Sequence, residues 1–98
     1  MSLSVALTGG VLSLILDRPE KRNALDQATI SALLGELEHA ELDADVRVVA
    51  LRGAGKDFCA GADLDELLAS ATLSPAENEA SALRLGEVFL RMRALPKP

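Results

Sequence analysis

Phe58-Cys59-Ala60-Gly61-Ala62-Asp63-Leu64 is the stretch on which the reading of this 98-residue chain turns. It follows an apolar run, Val46 to Leu51, through a glycine turn, Gly53-Ala54-Gly55, and opens onto a helical pattern. A strand, a tight small-residue turn and a helix start, in that order, expose backbone N–H groups at the positive end of a helix. Such a place suits an anionic ligand, or an oxygen that becomes negative during a reaction.

Outward from that stretch the chain alternates strand and helix signals. Ser4 to Thr8 and Val11 to Leu16 flank Gly9-Gly10 and read as a hairpin. Asp17 to Asn23 is polar, carries Pro19 and reads as a loop. Asp26 is a plausible N-cap, and Ile30, Leu33, Leu34 and Leu37 at i, i+3, i+4 and i+7 predict one buried face of a helix from about Gln27 to Leu42. Asp43-Ala44-Asp45 is the turn out of it, and Val46 to Leu51 is read as a buried strand parallel to the second strand of the hairpin. Asp63 and Glu66 have the spacing of a capping box, so a short helix Leu64 to Ala69 is expected. Ser74, Pro75 and Glu77 give a fuller start signal, and Ala82, Leu85, Phe89 and Met92 predict the inner stripe of a long helix ending near Leu95. The order β-β-α-β-α-α, with more apolar helix surface than one small sheet covers and a stop at Pro96 that reads as the lead-in to a further strand, predicts the front part of an α/β domain.

Composition narrows the function classes. Apolar residues make up 49% of the chain, enough for a core. Phe58 and Phe89 are the only aromatic rings, so stacking on bases is close to excluded. A net charge of −5 argues against nucleic acid and anionic membrane as partners, although Arg18, Lys21 and Arg22 form a local basic cluster that could receive a polyanionic small molecule. One Cys allows no internal disulfide, and one Cys with one His makes no usual zinc site, so no metal is expected. No stretch has the length of a membrane span or the pattern of a signal peptide, and a cytoplasmic setting is expected.

Arg18-Pro19-Glu20-Lys21-Arg22-Asn23-Ala24-Leu25, then Phe58 to Leu64, then Leu95-Pro96-Lys97-Pro98 resemble, in order and spacing, the N-terminal part of the crotonase superfamily, the enoyl-CoA hydratase/isomerases. The resemblance covers nearly the whole chain. It implies a spiral of ββα units over residues 1–98, incomplete at the C-terminus, and acyl-CoA thioesters as ligands, with coenzyme A entering as part of the substrate rather than as a separate cofactor. It implies that the thioester oxygen, on becoming an enolate, is held by two backbone N–H groups, the first at the position of Ala62. Ala60, Gly61, Asp63 and Leu64 match the loop that meets the CoA arm. Arg22 matches a position that contacts CoA phosphates in some members, and Ala24 lines the same side. Small residues at Ala60, Gly61 and Ala62 let a thioester approach the backbone, and a long side chain at Gly61 would block it. Members of that family are considerably longer, and the second oxyanion donor and the acid–base glutamates lie beyond Pro98. Members form homotrimers or hexamers, largely through C-terminal elements.

Several of these residues have a plainer reading as well. Asp63 is a helix cap before it is a ligand contact, and Asp65 and Glu66 sit where a helix dipole favours negative charge. Cys59 reads as packing, and His39 as a solvated residue at a helix C-terminus. Gly53-Ala54-Gly55-Lys56 lacks the spacing of a phosphate loop, so Lys56 is a minor candidate for a phosphate contact. Arg22 is either solvent-exposed or a CoA contact. The expectation is part of an acyl-CoA enzyme, enoyl-CoA hydratase or isomerase, inactive as 98 residues alone. The alternatives are a shortened CoA-binding or subunit-pairing module and a plain α/β structural domain.

Overall fold

A computed structural model describes residues 2–98. Its sheet has three strands, β1 (Leu3–Thr8), β2 (Val11–Leu16) and β3 (Val48–Gly53), in that spatial order. β1 and β2 form the hairpin expected around Gly9-Gly10, with Leu3 opposite Leu16 and Thr8 opposite Val11. β2 and β3 are parallel, from Val11 beside Val48 to Leu16 beside Gly53. The crossover between them carries α1 (Gln27–Leu42). After β3 come α2 (Leu64–Ala69) and α3 (Pro75–Ala94).

α1 follows its sequence signals closely. The Asp26 side chain accepts the Thr29 N–H at 2.8 Å, and Ile30, Leu33 and Leu37 are buried. They pack on Leu12, Leu14 and Leu16, alternate residues of β2 that share one sheet face. Lys97 reaches back to the C-terminal end of α1, where its ammonium donates to the carbonyls of Ala40 and Asp43. At α3 both halves of the Ser74–Glu77 capping box form, with Pro75 in the first turn.

Three expectations need correction. The third strand is displaced by two residues, to Val48–Gly53. Val46 is buried, but its N–H closes a turn onto Asp43 O, and Arg47 and Val48 both donate to Gly10 O before the ladder with β2 begins. Apolarity there records burial of a turn, not strand pairing. The inner face of α3 is rotated by about one residue. Val88 is buried and Leu85 half-buried, whereas Ala82 and Met92 are exposed and Phe89 is 58% exposed. α3 meets α1 along Leu85 and Val88; Met92, 39% exposed, lines a small cavity with Leu33 and Leu37 of α1, and Phe89 is turned away. The Asp63–Glu66 capping box forms by half. Asp63 accepts the Glu66 N–H at 3.0 Å, but the Glu66 carboxylate reaches across to the Gln27 N–H at 2.9 Å, an otherwise unpartnered donor in the first turn of α1. The chain's end lies along β3, with the Val49 N–H donating to Pro98 O at 2.9 Å.

The loop before α1 is fastened to the end of β3 by Asn23. This side chain is 1% exposed, and its backbone is left-handed at φ +57°. Its Oδ1 accepts the Arg18 N–H at 2.8 Å, while its Nδ2 donates to Ala54 O at 2.8 Å and Asp57 O at 2.7 Å. Gly53 makes room for this: a Cβ there would lie 2.6 Å from Asp57 O and 2.8 Å from Asn23 Nδ2. Asn23→Ala should lower stability by about 3 kcal/mol, combining three lost hydrogen bonds, to the Arg18 N–H and the Ala54 and Asp57 carbonyls, with a strained backbone. Asn23→Gly should recover roughly 1 kcal/mol of that by relieving the backbone alone. Urea denaturation of both variants checks this, and equal midpoints would show that the left-handed conformation costs nothing.

Candidate active site

The loop from Gly53 to Asp63 returns along the start of α1. Ala60 N donates to Arg22 O at 2.9 Å, Leu25 N to Gly61 O at 2.7 Å, and Asp63 N to Leu25 O at 3.0 Å. Leu25 and Ala62 therefore pair as a single parallel bridge. In extended chain, the groups of neighbouring residues alternate sides. Because Gly61 O and Asp63 N both face Leu25, the N–H of Ala62 itself points the other way. It has no acceptor among the described residues. Gly61, at φ +106°, supplies the left-handed backbone that turns the chain at this point. A Cβ on Gly61 would meet nothing within 4 Å, so the space in front of this turn is open.

Next to this turn, a hollow of about 530 Å³ lies between α1, α2 and α3, with Leu25, Ile30, Ala62, Leu67 and Leu85 on its walls. Of the site residues expected from the sequence, Ala62 and Asp63 line it, whereas Arg22, Ala24, Ala60, Gly61 and Leu64 do not. Ala24 is buried behind the loop. The Arg22 side chain is exposed and ion-paired with Asp57 at 3.3 Å. Cys59 is half-buried against the core, and its sulfur faces its own loop, within 3.4 Å of Gly61 N.

Arg18 organises the site, a role the sequence reading missed. Its guanidinium lies 2.9 Å from the Asp63 carboxylate and 3.2 Å from that of Asp26, and it donates to Ala24 O at 3.0 Å. The basic cluster expected to receive a polyanion is thus neutralised internally. Arg18 holds Asp26 and Asp63, Lys21 holds Asp65 at 3.1 Å, and Arg22 holds Asp57. The available signal was the pair of helix-capping carboxylates, Asp26 and Asp63, which repel when brought together as anions and are then stabilised by a cation. The Asp63 carboxyl is held below the usual carboxylate range, first by the Glu66 N–H and then by Arg18, and Arg18 is raised chiefly by its hydrogen bond to Asp63.

With this geometry in view, the relatives can be placed. A sequence profile described as enoyl-CoA hydratase/isomerase matches residues 7–98, and the chain belongs to that family. It is 38% identical to the 2,3-dehydroadipyl-CoA hydratase of Escherichia coli, over 90% of this chain and 32% of that protein. It is 36% identical to the 1,2-epoxyphenylacetyl-CoA isomerase of the same organism, over 91% of this chain and 34% of that protein. A crystal structure of an enoyl-CoA hydratase from Shewanella pealeana superposes with a TM-score of 0.94 at 36% identity, covering 100% of this chain and 37% of the other. The chain has the crotonase fold in the N-terminal part of such proteins, and spans about a third of the length of the curated relatives it matches. Among the described residues no helix is long and apolar enough to cross a membrane.

Two outcomes follow from the Arg18 cluster. Arg18→Met leaves two partly buried carboxylates without a cation and should cost about 3 kcal/mol, read by thermal or urea unfolding. Asp63 has its folded pKa below its unfolded value, so its contribution is present above about pH 4 and is lost as pH falls through the folded value. The stability gap between the native chain and Asp63→Asn should therefore be flat from about pH 7 to about pH 5 and shrink below about pH 4. A gap that shrank on going alkaline instead would contradict the assignment.

Proposed function

We propose that this chain supplies the oxyanion side of an acyl-CoA enzyme, with the Ala62 N–H donating to the thioester oxygen as it becomes an enolate. The observation that carries the reading is that N–H: without an acceptor among the described residues, at the rim of a hollow, one residue before the capped start of α2. An enolate oxygen gathers charge only as the α-proton leaves, so a fixed donor assists the transition state more than the bound substrate. One such donor contributes about 3–4 kcal/mol. Gly61 leaves the approach open, and Arg18 fixes the loop through Asp63. Arg22 is exposed and paired with Asp57 at 3.3 Å or longer. Such a surface pair is weak enough to be exchanged for a CoA phosphate.

The carboxylates at this site are already engaged, Asp63 by Arg18 and Glu66 N, and Glu66 by Gln27 N. That favours binding without proton transfer by these 98 residues. It also gives some support to the second reading, a CoA-binding or subunit-pairing module. Hydration of a 2-enoyl-CoA, or isomerisation of its double bond, would then require acid and base groups from elsewhere. Titration of the ¹⁵N-labelled chain with butyryl-CoA should move the Ala62 amide resonance. Gly61→Val, which strains the left-handed turn at φ +106° that presents that amide, should weaken binding by at least about tenfold. A hydratase assay on the chain should show no turnover. An Ala62 resonance that stays put under saturating ligand would sink the oxyanion assignment, and robust turnover would overturn the division of labour.

A further inference from the structure

We infer that the hollow beside Ala62 takes the acyl tail of the thioester and selects an uncharged, apolar tail over one that ends in a carboxylate. This rests on the thioester reading above and adds to it the class of acyl group. The walls are set by Leu25, Ile30, Leu67, Leu73, Ala82 and Leu85, contributed by all three helices and the segments next to them. Among the described residues, no Lys, Arg or His lines the hollow. Its charged lining groups are Asp63 and Glu66, both carboxylates and both already bonded to the protein.

The neutral polar groups on the wall are mostly turned inward too. The Ser70 hydroxyl donates to Leu67 O at 2.5 Å, the Thr72 hydroxyl to Ala69 O at 2.9 Å, and the Asn78 amide to Ser70 O at 3.2 Å. A carboxylate carried into this space would lose its water, find no cation and meet charge of its own sign. A methyl-terminated tail loses nothing and buries apolar surface, at up to about fourfold in affinity per methylene.

Calorimetric titration of the 98-residue chain with free CoA, butyryl-CoA, hexanoyl-CoA and adipyl-CoA tests this. Hexanoyl- and adipyl-CoA carry six-carbon acyl groups and differ at the terminal carbon. Hexanoyl-CoA should bind at least about tenfold more tightly than adipyl-CoA, and up to about fifteenfold more tightly than butyryl-CoA. Leu67→Lys, at a position already 59% exposed, should narrow the hexanoyl-to-adipyl ratio severalfold. Equal affinities for hexanoyl- and adipyl-CoA, or a ratio that Leu67→Lys leaves untouched, would overturn the tail assignment while leaving the Ala62 reading intact. Thioesters that bind no better than free CoA and leave the Ala62 resonance unmoved would remove both.

Discussion

One guanidinium joins the segments that build the hollow. Arg18 holds Asp26 at the start of α1, Asp63 at the start of α2 and the carbonyl of Ala24 between the first loop and α1. Each aspartate has a local reason to be charged, because it caps a helix and faces a positive helix end. Brought close, the two carboxylates repel. A cation between them converts two competing caps into a single junction. Ion pairs removed from water add little net stability over an apolar substitute, but losing one partner is severe. The junction therefore secures arrangement more than it adds strength.

That arrangement fixes which backbone groups remain free. Once Ala60, Gly61 and Asp63 are bonded to the Arg22–Leu25 segment, the alternation of extended chain leaves the Ala62 N–H facing outward. No side chain has to aim it. Asn23 and Gly53 reinforce the same geometry from the far end of the loop, where three polar contacts fill a space too narrow for any Cβ. A donor placed by backbone pairing needs little reorganisation as charge develops, which is the condition for electrostatic assistance to a reaction.

Much of this was legible in the residues. α1 announces itself through Asp26 and a clean 3.6-residue stripe, and α3 through Ser74, Pro75 and Glu77, because capping and burial there are local and agree. The failures have a common cause. Val46 is as apolar as a strand residue because it is buried in a turn, and hydrophobicity alone does not tell burial from pairing. Phe89 carries the helical period but is turned away from α1, since the period fixes a face without saying where a neighbour will sit. Glu66 had the spacing to cap its own helix and instead serves Gln27, 39 positions earlier. The small-residue turn before a helix marked only the region of Ala62, and the residue itself was singled out by the resemblance to the crotonase superfamily. Arg18 was hidden, because its partners are far apart in sequence and become neighbours only on folding.

α2 differs from the other helices in how it is attached. None of its residues is buried, and Leu64, Leu67 and Leu68 are all largely exposed. What fastens it is polar: Asp63 on Arg18, Glu66 on Gln27 N, and Lys21 on Asp65. An element moored by charge obeys different solvent rules from one moored by burial. Ionic strength screens exposed pairs such as Lys21–Asp65 while leaving apolar packing untouched or strengthened. Concentrated salt thus acts on this wall of the chamber at its outer tether, Lys21–Asp65, while the largely buried Arg18–Asp63 pair, the sheet and α1 are shielded from it.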